Sequence, residues 1–138
     1  MSLAETIKHE ARSLGFDAVG IAAVSPQAAD DRLLHRLQAW LRRGFHGTMG
    51  WMARDPARRA DPRVVLPGCR SIIVVGRNYD SGYRATEGQG YGRIARYAWG
   101  RDYHRILGDR LALLEATLHE RGPDAVRRSY VDTGPVME

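Results

Sequence analysis

A layered α/β domain is the fold class this sequence predicts, and three observations carry that prediction. Amphipathic helical periods lie toward both ends of the chain, apolar runs rich in Val and Ile lie between them, and 138 residues is about the modal size of one domain. With 43% hydrophobic and 27% charged residues, the chain has the composition of a folding protein rather than a disordered one. No apolar run approaches the roughly 20 residues a membrane helix needs. Residues 1–5 have neither the basic flank nor the apolar stretch of a signal peptide. One cysteine, Cys69, allows no intramolecular disulfide and no cysteine-ligated iron–sulfur cluster or zinc ribbon within this chain. These features together point to a reducing, cytoplasmic setting.

The elements follow in order. Ser2 with Glu5 is a capping-box pattern, and Leu3, Ile7, Ala11 and Leu14 then share one helical face before a stop at Gly15. Residues 16–24 read as a buried strand of small and apolar residues, ended by Pro26. A second helix is expected from about Ala28 to Arg43, with Leu33, Leu34, Leu37, Trp40 and Leu41 on its apolar face. Residues 45–70 hold one or two short helices inside a long connection, punctuated by Asp55-Pro56 and Asp61-Pro62. Ser71–Gly76 is the clearest strand, apolar enough to be covered on both faces. Residues 77–100, rich in Gly, Tyr and Arg, form a long loop without apolar period. Asp102 caps a strong helix to about Arg121, and residues 125–132 read as a third strand.

The net charge of +5 is unevenly spread. Residues 51–100 carry nine arginines against four acidic side chains, and Lys8 is the only lysine in the chain. A solvated, arginine-biased surface explains this as well as an anionic partner does; arginine suits such a partner because its planar fork binds phosphate bidentately. No P-loop, G-x-S-x-G elbow or H-E-x-x-H pattern is present, and the five histidines lack the paired spacing of a metal site.

Two segments could carry chemistry. Arg93 to His104 packs arginines and aromatics ahead of a helix N-terminus, which suits anionic and planar ligands; the alternative is that Tyr97 and Trp99 are core plugs and Asp102 only a cap. Tyr130-Val131-Asp132-Thr133-Gly134-Pro135 places an acid at the end of a strand, where it either faces a ligand or simply forms a turn.

Taken together, Ala95-Arg96-Tyr97-Ala98-Trp99-Gly100-Arg101-Asp102-Tyr103-His104 and the Tyr130–Pro135 segment closely resemble the N-terminal part of the epoxyqueuosine reductase family. Arg58 to Arg63, Leu66-Pro67-Gly68, the strand Ser71–Gly76 and the opening Leu14 to Ile21 are similar to that family in the same order. The resemblance implies a nitroreductase-like cobalamin-binding domain, incomplete in this chain, with residues 1–138 its N-terminal part and the iron–sulfur domain absent. It implies an oxidoreductase that reduces the epoxide of epoxyqueuosine in tRNA to queuosine, using cobalamin and [4Fe–4S] clusters held in the missing C-terminal region. Such a fragment alone is expected to be inactive, and monomeric. Asp132 matches the family's proposed proton donor, a role that suits a buried acid. Arg59 and Ala95 match corrin-contacting positions, with Ala95 standing where some members have cysteine; Tyr97 and His104 lie in the matching motif. No metal ligands are expected here. The rival expectations are a non-catalytic RNA- or ligand-binding module and a flavin-dependent nitroreductase-like enzyme.

Overall fold

The computed structural model describes residues 2–24 and 31–136. Its elements are α1 (Leu3–Ser13), β1 (Ala18–Ala23), α2 (Asp31–Arg42), a 3₁₀ turn (Gly50–Ala53), α3 (Pro56–Ala60), α4 (Pro62–Val65), β2 (Ser71–Gly76), a second 3₁₀ turn (Arg96–Ala98) and α5 (Tyr103–Arg121). The expected start of the second helix, at Ala28, lies outside the described residues. β1 and β2 form a two-stranded sheet. Asp17 N bonds to Gly76 O and Val24 N to Arg70 O, so the strands run antiparallel. The chain divides into two compact units, Met1–Gly20 with Ile73–Val131, and Ile21–Ile72 with Asp132–Glu138.

In the first unit the capping box forms as the sequence predicts: Ser2 Oγ accepts from Glu5 N, and the Glu5 carboxylate accepts from Ser2 N at 2.7 Å. α1 ends on Gly15, whose φ of +86° belongs to the left-handed region that glycine enters without steric cost. Ala11, Phe16 and Leu114 form the buried core of this unit, with Leu14, Val19, Val75, Leu107, Leu111 and Leu118 packed around them. Arg110 of α5 donates from Nη1 to Leu14 O at 3.0 Å and Gly15 O at 2.9 Å, satisfying carbonyls that the end of α1 leaves without helical partners. Glu10 and Arg121 add a 3.2 Å ion pair between the same two helices.

In the second unit, α2 packs on α3 and α3 on α4, with Leu37 and Val65 buried. The one or two short helices expected within residues 45–70 are found, and both Asp-Pro pairs, read from the sequence only as punctuation, prove to be helix starts. Proline, lacking an N–H, occupies the first helical position, and Asp55 and Asp61 accept from Arg58 N and Arg63 N respectively.

Three expectations need correction. Residues 125–131 form no strand: a strand exists only within a ladder, and among the described residues the sheet has two members. The Arg127 guanidinium instead ties this segment to the end of α5, donating to Gly122 O at 2.7 Å and meeting His119 Nδ1 at 2.7 Å. β1 is not buried, and its residues are exposed or half-exposed. β2 is not covered on both faces either: Val75 packs on the core while its neighbour Val74 is 52% exposed, because successive strand residues face opposite ways.

Two substitutions test this packing by urea denaturation of the chain. Leu114→Ala, at a 4% exposed site, is expected to cost about 2–5 kcal/mol. Gly15→Ala is expected to cost at least about 1–2 kcal/mol, since a Cβ there meets a left-handed backbone and stands 2.2 Å from Arg110 Nη1.

Candidate functional site

The loop from Arg77 to Gly100 is almost wholly exposed, yet local bonds hold it in shape. Asn78 N donates to Asp17 Oδ2 at 2.7 Å, and Gly82 N donates to Asp80 Oδ1 at 3.0 Å. Arg96 pairs with Asp80 across the loop. The Gly82 N–H and then the Arg96 guanidinium hold the Asp80 carboxyl below the usual carboxylate range. Trp99 Nε1 donates to Ile94 O at 2.9 Å, with the Arg96 guanidinium 5.5 Å from its ring. These contacts shape an open groove of about 490 Å³, lined by Arg84, Arg93, Arg96, Ile94 and Trp99 among others. Glu87 takes up Arg93 at 3.0 Å, whereas the Arg84 side chain is exposed at the rim.

Beyond the groove, the loop enters α5 through an aromatic chain. Tyr97, 53% exposed, meets Tyr79 edge-on at 6.5 Å and Tyr103 edge-on at 6.1 Å, and Tyr103 stacks on His104 at 4.1 Å. Asp102 caps α5 by accepting from His104 N at 3.0 Å. The same oxygen lies 2.9 Å from His104 Nδ1. The contact with the His104 side chain, then its backbone N–H, holds the Asp102 carboxyl low. Of the sequence-predicted residues, Tyr97 and His104 are linked through Tyr103, and Ala95 is exposed immediately before the 3₁₀ turn. Tyr97 is no core plug, and Asp102 is more than a cap.

Arg59 and Asp132 belong to the second unit. Arg59 donates from Nη2 to Trp51 O at 3.0 Å and lays its guanidinium 4.9 Å from the Trp51 ring, while its Nε is buried without a hydrogen-bond partner. Arg58 Nε and His46 Nδ1 are left in the same state nearby in sequence. Asp132 is exposed and not buried as expected, because no strand forms before it; its backbone has φ +52°, a conformation few non-glycine residues adopt. Sequence reasoning missed the Arg59–Trp51 clamp, the Asp80–Arg96 latch and the side-chain contact of Asp102. Only the last had a local signal, the Asp-x-His spacing at a helix start.

Among the described residues no group of three or more His, Cys, Asp and Glu side chains could hold a metal ion, and no helix is long and apolar enough to cross a membrane. Cys69 is half-buried, with its Sγ 3.6 Å from Ser71 O.

Fold and site together define a mixed helix–sheet protein with exposed arginine and aromatic side chains between β2 and α5. Residues 59–133 match the family model described as epoxyqueuosine reductase QueG, DUF1730. The chain belongs to the epoxyqueuosine reductase family. It is 45% identical over 135 residues to an epoxyqueuosine reductase of Gloeobacter violaceus, covering 98% of this chain and 41% of that protein. A crystal structure of selenomethionine-labelled epoxyqueuosine reductase superposes with a TM-score of 0.80 at 30% identity, over 98% of this chain and 36% of the other. An epoxyqueuosine reductase solved with an epoxyqueuosine-modified tRNA-Tyr stem loop superposes with a TM-score of 0.75 at 28% identity, over 98% and 36%. The chain thus spans about two fifths of the length of the curated relatives it matches.

The segment carrying Arg59 has its own pH signature. Arg63 bonds the Asp61 carboxylate through Nε at 2.9 Å and Nη2 at 3.0 Å and holds its pKa below the usual value, against the opposing effect of burial. A carboxyl with a lowered folded pKa contributes stability that is fully present above the unfolded value near about 4 and is lost as pH falls through the folded value. The Tm of the wild type should therefore fall more steeply below about pH 4 than that of Asp61→Asn; parallel acid titrations of Tm would contradict this.

Proposed function

We propose that this chain is the N-terminal part of the cobalamin-binding, nitroreductase-like domain of a cytoplasmic tRNA epoxyqueuosine reductase, an enzyme of queuosine biosynthesis. The single observation that carries the reading is the family match over residues 59–133, which spans Arg59, Ala95, Tyr97, His104 and Asp132. The tRNA-bound relative supports an epoxyqueuosine-bearing tRNA as the partner.

The residues present fit a corrin, a flat ring rimmed by amides. Within the first unit, Tyr97 offers an exposed ring, Ala95 precedes its 3₁₀ turn with a small exposed side chain, and His104 is a polar ring at the end of the aromatic chain; Arg59, in the second unit, is assigned to the corrin on the family match alone. Bound cobalamin supplies reducing electrons to the epoxide. Because a [4Fe–4S] cluster is held by several cysteine thiolates and this chain has only Cys69, the clusters are assigned to other parts of the enzyme.

Converting an epoxide to an alkene removes its oxygen as water and consumes two electrons and two protons, so a proton donor at that oxygen is required. Asp132 fills this role: it stands in a loop, exposed to an incoming substrate, on a backbone conformation that costs free energy and is therefore held by its surroundings. In the first unit the exposed Arg84 is available to neutralise a phosphate of the tRNA, an attraction that salt weakens.

The test is made on the full-length protein. Reconstitution with cob(II)alamin is expected to change its absorbance spectrum, whereas flavin mononucleotide leaves the spectrum unchanged. Asp132→Asn should slow epoxide reduction by about 10²–10⁴-fold with stem-loop binding retained. Undiminished turnover removes Asp132 from the chemistry. Flavin binding in place of cobalamin, or stem-loop binding without either cofactor, would replace the whole reading.

A further inference from the structure

Asp102 makes two contacts with one oxygen, and only one of them serves the helix. Its Oδ1 accepts from the His104 backbone N–H at 3.0 Å, which closes the first turn of α5. The second contact, 2.9 Å to His104 Nδ1, contributes nothing to a cap. On its other side the imidazole is stacked by Tyr103, with planes 30° apart. Tyr103 in turn meets Tyr97 edge-on, with ring planes at 88°. A stack thus sets the plane of the ring and a carboxylate sets its rotation, although the His104 side chain is 43% exposed. Holding an exposed ring in one orientation costs side-chain entropy, which the stack and the carboxylate contact offset.

We propose that Asp102 is a positioning residue that keeps the proton of neutral His104 on Nδ1 and so presents Nε2 as an acceptor to an N–H or O–H donor of the bound ligand. An ionised carboxylate can only accept, so the nitrogen it faces must be the donor. A neutral imidazole carries one N–H, and placing it on Nδ1 leaves the Nε2 lone pair available. The same arrangement orients ligand-binding histidines generally, where a carboxylate behind the ring fixes tautomer and direction. The inference rests on the reading above in one respect, that His104 belongs to the ligand face. Two sources offer the required donor, an amide on the rim of the cofactor and a hydroxyl or amine of the modified nucleoside.

The experiment uses full-length protein labelled with ¹⁵N-histidine, observed by NMR at about pH 8.5, above the ordinary imidazole range. The His104 signals are assigned by their loss in His104→Gln. The wild type is expected to show a protonated Nδ1 and a bare Nε2. Asp102→Ser keeps a capping hydroxyl, so circular dichroism should show unchanged helix content while the proton moves to Nε2. Asp102→Asn keeps a carbonyl acceptor and should keep the wild-type tautomer. With the tautomer lost, one ligand constant should weaken by roughly threefold to tenfold, the worth of one hydrogen bond, and Asp102→Asn should restore it. If the Kd for cob(II)alamin moves, the donor belongs to the cofactor; if the KM for an epoxyqueuosine stem loop moves at constant cob(II)alamin Kd, it belongs to the nucleoside. A wild-type proton on Nε2, or a tautomer lost in Asp102→Ser with both constants unchanged, overturns the proposal. Should the protein reduce no epoxide while tautomer and cob(II)alamin Kd respond as stated, the enzymatic reading falls and the role of Asp102 stands.

Discussion

The first unit depends on how one guanidinium closes one helix. α1 ends in a left-handed turn at Gly15, and Arg110, distant in sequence on α5, donates to the Leu14 and Gly15 carbonyls. The Arg77 guanidinium, just past β2, reaches the same Gly15 carbonyl, so helix end, strand end and α5 meet at one peptide. Charge-assisted bonds to otherwise orphaned carbonyls exceed neutral ones in strength. With α1 and α5 thus joined, Phe16 and Leu114 bury together against Ala11. A small core arranged this way leaves little spare stability, and a side chain at Gly15 would meet Arg110 directly.

The candidate ligand face hangs from that framework without sharing its regularity. Between β2 and α5 the only regular backbone among the described residues is the 3₁₀ turn Arg96–Ala98, and the shape otherwise comes from single contacts: Asp80 with Gly82 and Arg96, Trp99 with Ile94, Asp102 with His104. Such a segment opens at little cost, since few apolar groups are buried within it. Tyr83, Tyr91, Ile94 and Tyr97 accordingly stay largely exposed, since no second surface covers them within this unit. In the second unit Arg59 is likewise held by single contacts, its guanidinium bonded to Trp51 O and lying over the Trp51 ring.

Helices were legible because their signals are local. The Ser2–Glu5 box and the Asp102 cap each lie within one turn of the helix they begin; the Asp-Pro pairs read only as punctuation and became helix starts in the structure. The strands were half legible. Ser71–Gly76 pairs as its Val and Ile content predicts, but residues 125–131, where Arg127 and Arg128 interrupt the apolar side chains, do not. Arg96 with Asp80, Arg59 with Trp51 and Arg110 with Gly15 left no trace in the pattern, because a chain of arginines does not announce which one will turn inward.

By itself the sequence determined the helices and their caps, the long irregular loop and the family to which the motifs belong, since each of these is a property of neighbouring residues. Tertiary structure decided which strands exist, which faces are covered and where Asp132 and His104 stand. A ladder needs a partner and burial needs a second surface. Asp132 is exposed because no strand forms before it, and His104 is oriented because Tyr103 and Asp102 hold its ring.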